Sequence, residues 1–322
     1  MVAMRGKPTV RRWWTDLTDL VLPAECGGCG KARAVLCTRC RTALSGTPPC
    51  RVRPDPEPPG LPAVHAAAPY ADEVRATLLA HKERGVLALT GPLGVALAGA
   101  VRTGLREARR GADGAGAGDG GPGDAGAGDT GSGGAGAVRR RRPVLLVPVP
   151  SARRSVRTRG HDPARRIALA AAGELRRTGT SARVLAVLRQ RYAVADQSAL
   201  DARQRLDNLT GALTVTPGAG GLLRGGGALV LVDDLMTTGA SLAEAARAVR
   251  AATAASVESR AGPDTYGRTR SAVYPAEAGE GREERKTVPR MAGRYGGGGV
   301  IREAICAAVV AASPDSFEIN RN

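Results

Sequence analysis

The strongest hydrophobic signal in the chain is Ala228-Leu229-Val230-Leu231-Val232, an unbroken apolar run of strand length that ends at two carboxylates. Such a run is the profile of a strand buried on both faces of a parallel sheet. Val144 to Pro150 repeats it between prolines, and Val64 to Pro69, Val184 to Leu188 and Ile305 to Ala311 add further strand-length stretches. Between them the apolar period lengthens. Val74, Leu78 and Leu79 mark a helix from Asp72 to Arg84. Further helices are predicted over about Val86 to Arg109, with Pro92 near the start, over His161 to Arg177, and over Ser241 to Ala252. Strands that alternate with helices predict an α/β fold on a mostly parallel sheet, with helices on both faces.

Elsewhere the pattern breaks. Trp13, Trp14, Leu17, Leu20 and Val21 recur at helical spacing before Pro23 and predict a short amphipathic helix. The proline-dense stretch Pro48 to Pro62 reads as a connector. Gly111 to Ala137 is almost entirely Gly, Ala, Asp, Ser and Pro, cannot bury an apolar face, and reads as a flexible linker within a domain. Ala254 to Ile301 has no period and is longer than ordinary loops. The expected organisation is a helix and cysteine module over 1–60, the first part of the α/β domain over 61–110, the linker over 111–137, the core over 138–253, a disordered insertion over 254–303, and a last strand with a polar tail over 304–322.

Composition narrows this further. Gly accounts for 44 of 322 residues and aromatics for 2%, so the chain has material for one main domain and a small appendage rather than two full cores. The net charge of +17 attracts phosphates on a small molecule, a nucleic acid or a membrane surface without choosing among them, and a GC-rich coding bias yields the same Arg excess. No apolar run reaches the length of a membrane span. Arg11-Arg12 is not followed by the apolar stretch and cleavage site of an export signal. With four of the six Cys in a metal-ligand pattern, a reducing, cytoplasmic location is expected.

The chemistry concentrates after the strongest strand, in Asp233-Asp234-Leu235-Met236-Thr237-Thr238-Gly239-Ala240-Ser241. Small residues let backbone N–H groups approach a phosphate, and Thr237, Thr238 and Ser241 add hydroxyls. The helix that follows turns its positive end toward an anion. Asp233 and Asp234 are placed to accept hydrogen bonds from sugar hydroxyls or to help hold magnesium through water. An ordinary strand-to-helix turn with an N-cap explains one hydroxyl, not two adjacent acids followed by three hydroxyl residues and a glycine. The absence of a Gly-Lys-Thr or Gly-Lys-Ser ending excludes a Walker loop. In open α/β sheets ligands bind at the carboxyl ends of the strands, where this segment lies. A phosphate group, with sugar hydroxyls or a magnesium ion beside it, is the ligand chemistry these residues predict.

At these residues the chain resembles the type I phosphoribosyltransferases, and with its upstream motifs it resembles the ComF family in particular. Those motifs are Val147-Pro148-Val149-Pro150-Ser151, then Arg153 and Arg154, then Arg159-Gly160-His161-Asp162, and a loop carrying Gln197, Leu200, Arg203, Arg205 and Asn208. His161-Asp162-Pro163 stands where the family usually has Phe-Asn-Gln. The resemblance covers about Cys26 to Ala252 without the linker. It implies a type I phosphoribosyltransferase sheet in which Asp233 and Asp234 bind the ribose hydroxyls of phosphoribosyl pyrophosphate (PRPP) and form the catalytic pair. It implies Thr237, Thr238, Gly239, Ala240 and Ser241 as the phosphate cradle, and Ser151, Arg153 and Arg154 as the pyrophosphate loop. It also implies a flexible loop bearing Gln197, Arg203 and Asn208 that closes over the sugar, with magnesium (Mg2+) bound alongside PRPP. From the residues alone, the arginines serve equally as a solvated basic face, and Arg189 to Asn208 as a plain surface loop.

Cys26-Gly27-Gly28-Cys29 and Cys37-Thr38-Arg39-Cys40 are two C-x-x-C turns separated by seven residues. Four thiolates at this spacing suit a tetrahedral structural zinc ion (Zn2+), which stabilises a segment with little core of its own; an iron–sulfur site is the other metal reading. An N-terminal zinc module also accompanies the ComF resemblance. Arg53 occupies the position where a pair beginning at Cys50 would close, so Cys50 is expected to stand outside the cluster, and Cys306 reads as core.

Two functions follow. The first is an enzyme that transfers a phosphoribosyl group from PRPP to an acceptor the sequence does not reveal. Pyrophosphate leaves, and the protein supplies positioning and electrostatics. The second is a non-catalytic ComF-type DNA-uptake and competence protein that binds single-stranded DNA alongside competence or helicase partners. Among the remaining candidates, His65 is expected to pack within its strand. His81 and Lys82 are expected as cations at a helix end, with Lys82 also a contact for a phosphorylated ligand or nucleic acid. His161 is expected at a helix N-terminus.

Overall fold

The computed structural model describes residues 25–115, 142–191, 209–224, 227–258 and 305–320. The helix expected at Trp13 to Leu22, most of the linker, the loop with Gln197, Arg203 and Asn208, and the expected insertion beyond Glu258 lie outside the described residues.

The strands are β1 Cys50–Val52, β2 Val64–Pro69, β3 Val144–Pro148, β4 Ala182–Val184, β5 Leu188–Gln190, β6 Leu213–Val215, β7 Leu229–Met236 and β8 Ile305–Ala312. The helices are α1 Thr38–Ser45, α2 Asp72–Lys82, α3 Thr90–Ala115, α4 Arg153–Arg159, α5 Pro163–Arg177, α6 Gly220–Arg224 and α7 Ala240–Glu258. Six strands form one sheet in the order β1-β2-β8-β7-β3-β4, parallel throughout except for β1. β5 and β6 form a separate antiparallel ribbon. The chain is therefore an α/β protein with a mixed, mostly parallel sheet, as its alternating pattern predicts.

The continuous apolar runs belong to the central strands, β3, β7 and β8. Alternation divides their side chains between two cores. Leu146, Val230, Val232, Ala308 and Val310 face the core shared with α1, α2, α3 and α5. Val147, Leu229, Leu231, Ala307 and Val309 face the core shared with α7 and the β5–β6 ribbon. Burial on both faces explains why these strands show no polar alternation.

Several boundaries differ from the expectation. The predicted strand Val184 to Leu188 divides in two, because the chain leaves the sheet edge after β4 and pairs β5 with β6 instead. β1 lies inside the proline-dense connector and is too short to show a period. α3 continues to Ala115, into the stretch expected as linker. The segment Leu87–Gly111, which joins the 3-10 turn Leu87–Leu89 to most of α3, is long and apolar enough to cross a membrane, contrary to the reading of the sequence, but half of its most apolar window is buried inside the fold. Gly94 makes the packing of α3 on α5 possible, since a Cβ there would stand 2.5 Å from the Cβ of Ala170. The cysteine segment is not a detached appendage: Cys26, Leu36, Cys40 and Leu44 share one core with Leu89, Leu93 and Leu97.

The topology also sets the position of a crevice. β3 leads to β4 on one side, while β7 lies on its other side and leads on to β8. The carboxyl ends of β3 and β7 thus flank a topological switch point, where open α/β sheets hold ligands.

Candidate functional site

β7 carries both acids within the strand, since its pairing with β8 continues through Asp233↔Val309 to Met236↔Ala312. The expected loop is accordingly shorter, and consists of Thr237, Thr238 and Gly239 before α7 begins at Ala240. The Ser313 amide donates to the Met236 carbonyl at 2.9 Å and closes the strand end. Gly239 has φ +74°, and a Cβ there would lie 3.1 Å from Leu61 Cδ2 and 3.3 Å from Pro54 Cγ. Only glycine combines this left-handed backbone with so close a wall. The wall comes from the proline-dense connector, which Arg250 ties to α7 by donating to the Gly60 carbonyl at 2.8 Å. Nothing in the connector's composition signals that role.

The first amides of α7, at Ala240, Ser241 and Leu242, have no intrahelical acceptor, and the helix is positive at this end. Thr237 is exposed, whereas Thr238 and Ser241 are half-buried beside it. Small residues, orphan amides and hydroxyls thus meet at one strand-to-helix turn.

The electrostatics centre on Asp233 and Asp234. The Asp234 amide donates to Asp233 Oδ1 at 2.8 Å. Lys82, at the end of α2, places Nζ 3.0 Å from Asp234 Oδ2 and 3.4 Å from Oδ1. Burial, and then the neighbouring Asp234 charge, push the Asp233 carboxyl well above the usual carboxylate range, with Lys82 opposing. Burial also works against an ionised Asp234, but the Lys82 charge and hydrogen bond outweigh it and hold that carboxyl low. Lys82 is raised in turn: burial opposes its charge, and Asp234 and Asp233 overcome it. The pair therefore comprises one stably ionised acid and one with a strong affinity for a proton.

The residues on either side of Lys82 are also engaged. His81 Nε2 lies 3.0 Å from Thr90 Oγ1, and Glu83 pairs with Arg159 Nε at 3.1 Å. The His81 ring meets His161 edge-on, with centroids 5.8 Å apart. His161 follows Gly160, which ends α4 at φ +74°, and its Nδ1 donates to the Arg159 carbonyl at 3.1 Å. Asp162 then caps α5 by accepting from the Arg165 amide at 3.2 Å. Burial, and then the His161 charge, hold His81 down at about 4 although Asp234 pulls the other way. This corrects the expectation of a cation at the helix end: the side chain is wholly buried, and an imidazole there stays neutral at pH 7. His65 is buried as expected, with Nε2 2.7 Å from Glu107 Oε2.

The exit of β3 leads through half-buried Ser151 and Ala152 into α4, whose first residues are Arg153 and Arg154. It is a short turn and helix rather than an open loop. β3 pairs with β7 up to Pro148↔Val232, so this exit adjoins the acids.

At the other end of the chain, the Sγ atoms of Cys26, Cys29, Cys37 and Cys40 all lie within 4.8 Å of one another. Tetrahedral zinc–thiolate bonds require sulfurs about 3.8 Å apart, so the four fit one ion after small adjustments. The first turn folds tightly, with the Gly30 amide on the Cys26 carbonyl at 2.9 Å and the Cys37 amide on Cys26 Sγ at 3.3 Å. Gly28 leaves room for the fourth ligand, because a Cβ there would sit 2.7 Å from Cys40 Sγ. Burial opposes ionisation of Cys26, yet amide hydrogen bonds from Cys29, Cys37 and Gly28 draw its thiol down to about 6. Burial and the surrounding sulfurs push Cys40 the other way. A divalent ion removes that conflict. Cys50 is exposed outside the cluster, and Cys306 is buried in β8, where desolvation pushes its thiol up to about 12.

These features define an α/β protein with a mostly parallel six-stranded sheet and an N-terminal four-cysteine cluster able to hold a metal such as zinc. No protein-family model and no curated protein matches the chain.

Proposed function

We propose that the chain is a phosphoribosyltransferase-like protein of the ComF kind, which binds PRPP with magnesium at the β7–α7 turn and carries a structural zinc ion on Cys26, Cys29, Cys37 and Cys40. The observation that supports it most is the order Asp233-Asp234, then a three-residue turn with left-handed Gly239, then the amino end of α7, all at the switch point beside the β3 exit. In this reading Asp233 and Asp234 accept hydrogen bonds from the ribose hydroxyls. The amides and hydroxyls of Thr237 to Ser241 hold the 5-phosphate, and Ser151, Arg153 and Arg154 are assigned to the pyrophosphate. Magnesium, when bound, neutralises the leaving pyrophosphate. The protein's own groups fix the sugar and exclude water, and no protein nucleophile is required.

Isothermal titration with PRPP and magnesium tests the reading, comparing the parent with Asp233→Ala/Asp234→Ala. Saturable heat in the parent that disappears in the variant is expected. Equal binding by both removes the assignment.

The net charge of +17 supports a second reading, single-stranded DNA binding as in a competence protein. A salt series on oligonucleotide binding tests it: a steep loss of affinity with salt is expected, and no binding at low salt ends it.

A further inference from the structure

Lys82 enters the carboxylate pair from a distant part of the chain, and the reading above leaves it without a role. Its ammonium covers both oxygens of Asp234, at 3.0 Å and 3.4 Å. Asp234 itself is 5% exposed, so the contact lies out of solvent. The placement is built rather than incidental. The preceding His81 is wholly buried and bonded to Thr90 at the start of α3, and the following Glu83 pairs with Arg159 at the end of α4. With both flanking residues held, the Lys82 side chain is delivered to one place.

A carboxylate can serve a divalent cation or a set of hydroxyl donors. Magnesium requires oxygen lone pairs in a near-octahedral arrangement at about 2.0–2.1 Å. A fixed ammonium takes those lone pairs and repels a second cation at short range. Neutral hydroxyls meet no such repulsion and can share the carboxylate with the ammonium. We infer that Lys82 is the specificity-determining residue of the pair: it is a fixed counter-cation that closes Asp234 to direct ligation by a divalent metal ion and reserves the pair for neutral hydroxyl donors, such as the vicinal diol of a sugar phosphate. The diol half rests on the sugar-phosphate reading; the cation half rests on the Lys82–Asp234 contact alone. A metal ion that accompanies the ligand is then held by the ligand's phosphate oxygens rather than by Asp234.

Manganese titration of the zinc-loaded full chain without sugar phosphate, followed by the electron paramagnetic resonance of free Mn2+, tests the cation half. Lys82→Met is expected to gain a site at least roughly tenfold tighter than any in the parent, and Lys82→Met/Asp234→Asn to lose it. Lys82→Gln provides the same reading should Lys82→Met not fold. Equal Mn2+ affinity in parent and Lys82→Met, or a gain that survives loss of Asp234, overturns the proposal. Ribose 5-phosphate is titrated into the same samples. Binding in the parent that is retained in Lys82→Arg supports the diol half. Failure of ribose 5-phosphate to bind any of these proteins, with the Mn2+ gain present, overturns the sugar-phosphate reading while leaving Lys82 as the barrier to cations.

Discussion

The Val149 amide donates to the Val232 carbonyl at 2.9 Å, one residue before Asp233. This bond continues the β3–β7 ladder beyond Pro148 and keeps the two strand exits side by side. The candidate pyrophosphate segment and the acid pair are thereby neighbours through backbone geometry alone. Their separation of about eighty positions in sequence is bridged by one parallel pairing.

Gly239 is the residue of the turn with the least tolerance for change. Gly239→Ala combines a left-handed φ of +74° with a Cβ 3.1 Å from Leu61. A destabilisation of roughly 1–2 kcal/mol is expected in urea unfolding. Adding Leu61→Ala relieves the contact but not the backbone strain, so only part of the loss returns.

Asp233 is expected to cost stability at neutral pH. Its folded-state pKa is raised, so its favourable contribution is full below the unfolded carboxylate value and is lost as pH rises through the folded value. Asp233→Asn should therefore stabilise the protein by about 1 kcal/mol or more at pH 7, with the gain vanishing below about pH 4. Asp234→Asn should do the opposite, losing roughly 1–3 kcal/mol because Lys82 is left without its partner. Denaturation midpoints across pH measure both. Such a cost at one residue is expected of a binding site rather than of a packing position.

His81 supplies a separate pH signature. Its folded value lies near 4, below that of an unfolded histidine, so the unfolded chain takes up a proton first as pH falls. Stability is full above about pH 6.5 and declines toward pH 4, by roughly 3 kcal/mol if this group acts alone. His81→Gln, which keeps a polar end for Thr90, should flatten that slope. An unchanged slope would place the acid sensitivity elsewhere.

The cysteine cluster should hold one zinc ion per chain, as measured by elemental analysis. Cys40→Ser is expected to lose it, and Cys50→Ser and Cys306→Ser to retain it. Because Cys26, Cys37 and Cys40 share the core of α3, chelation should lower the melting temperature of the whole fold.

What the sequence made legible followed from burial. β3, β7 and β8 are covered on both faces, so their apolar runs stood out, and the helices from Asp72, from about Val86 and from His161 carried a clear period. The cysteines were readable because metal ligation imposes a spacing. Short edge elements were not readable: β1 and β6 have three residues each, too few for any period. α4 was hidden because Arg153 to Arg159 has almost no apolar face. Lys82 was visible as a basic residue at a helix end and as a contact for a phosphorylated ligand or nucleic acid, but not as the partner of Asp234. Its contact with Asp234 joins residues 152 positions apart and depends on how α2 meets β7, which no local pattern encodes. For the same reason Pro54 and Leu61 passed as connector, although they form the wall behind Gly239.

The most direct test of the central claim is amide NMR of the turn during titration with ribose 5-phosphate. Saturable shifts of the Thr238, Gly239, Ala240 and Ser241 amides are expected, lost in Asp233→Ala/Asp234→Ala. Shifts confined to other amides, or turn shifts that persist unchanged without the acids, would contradict it.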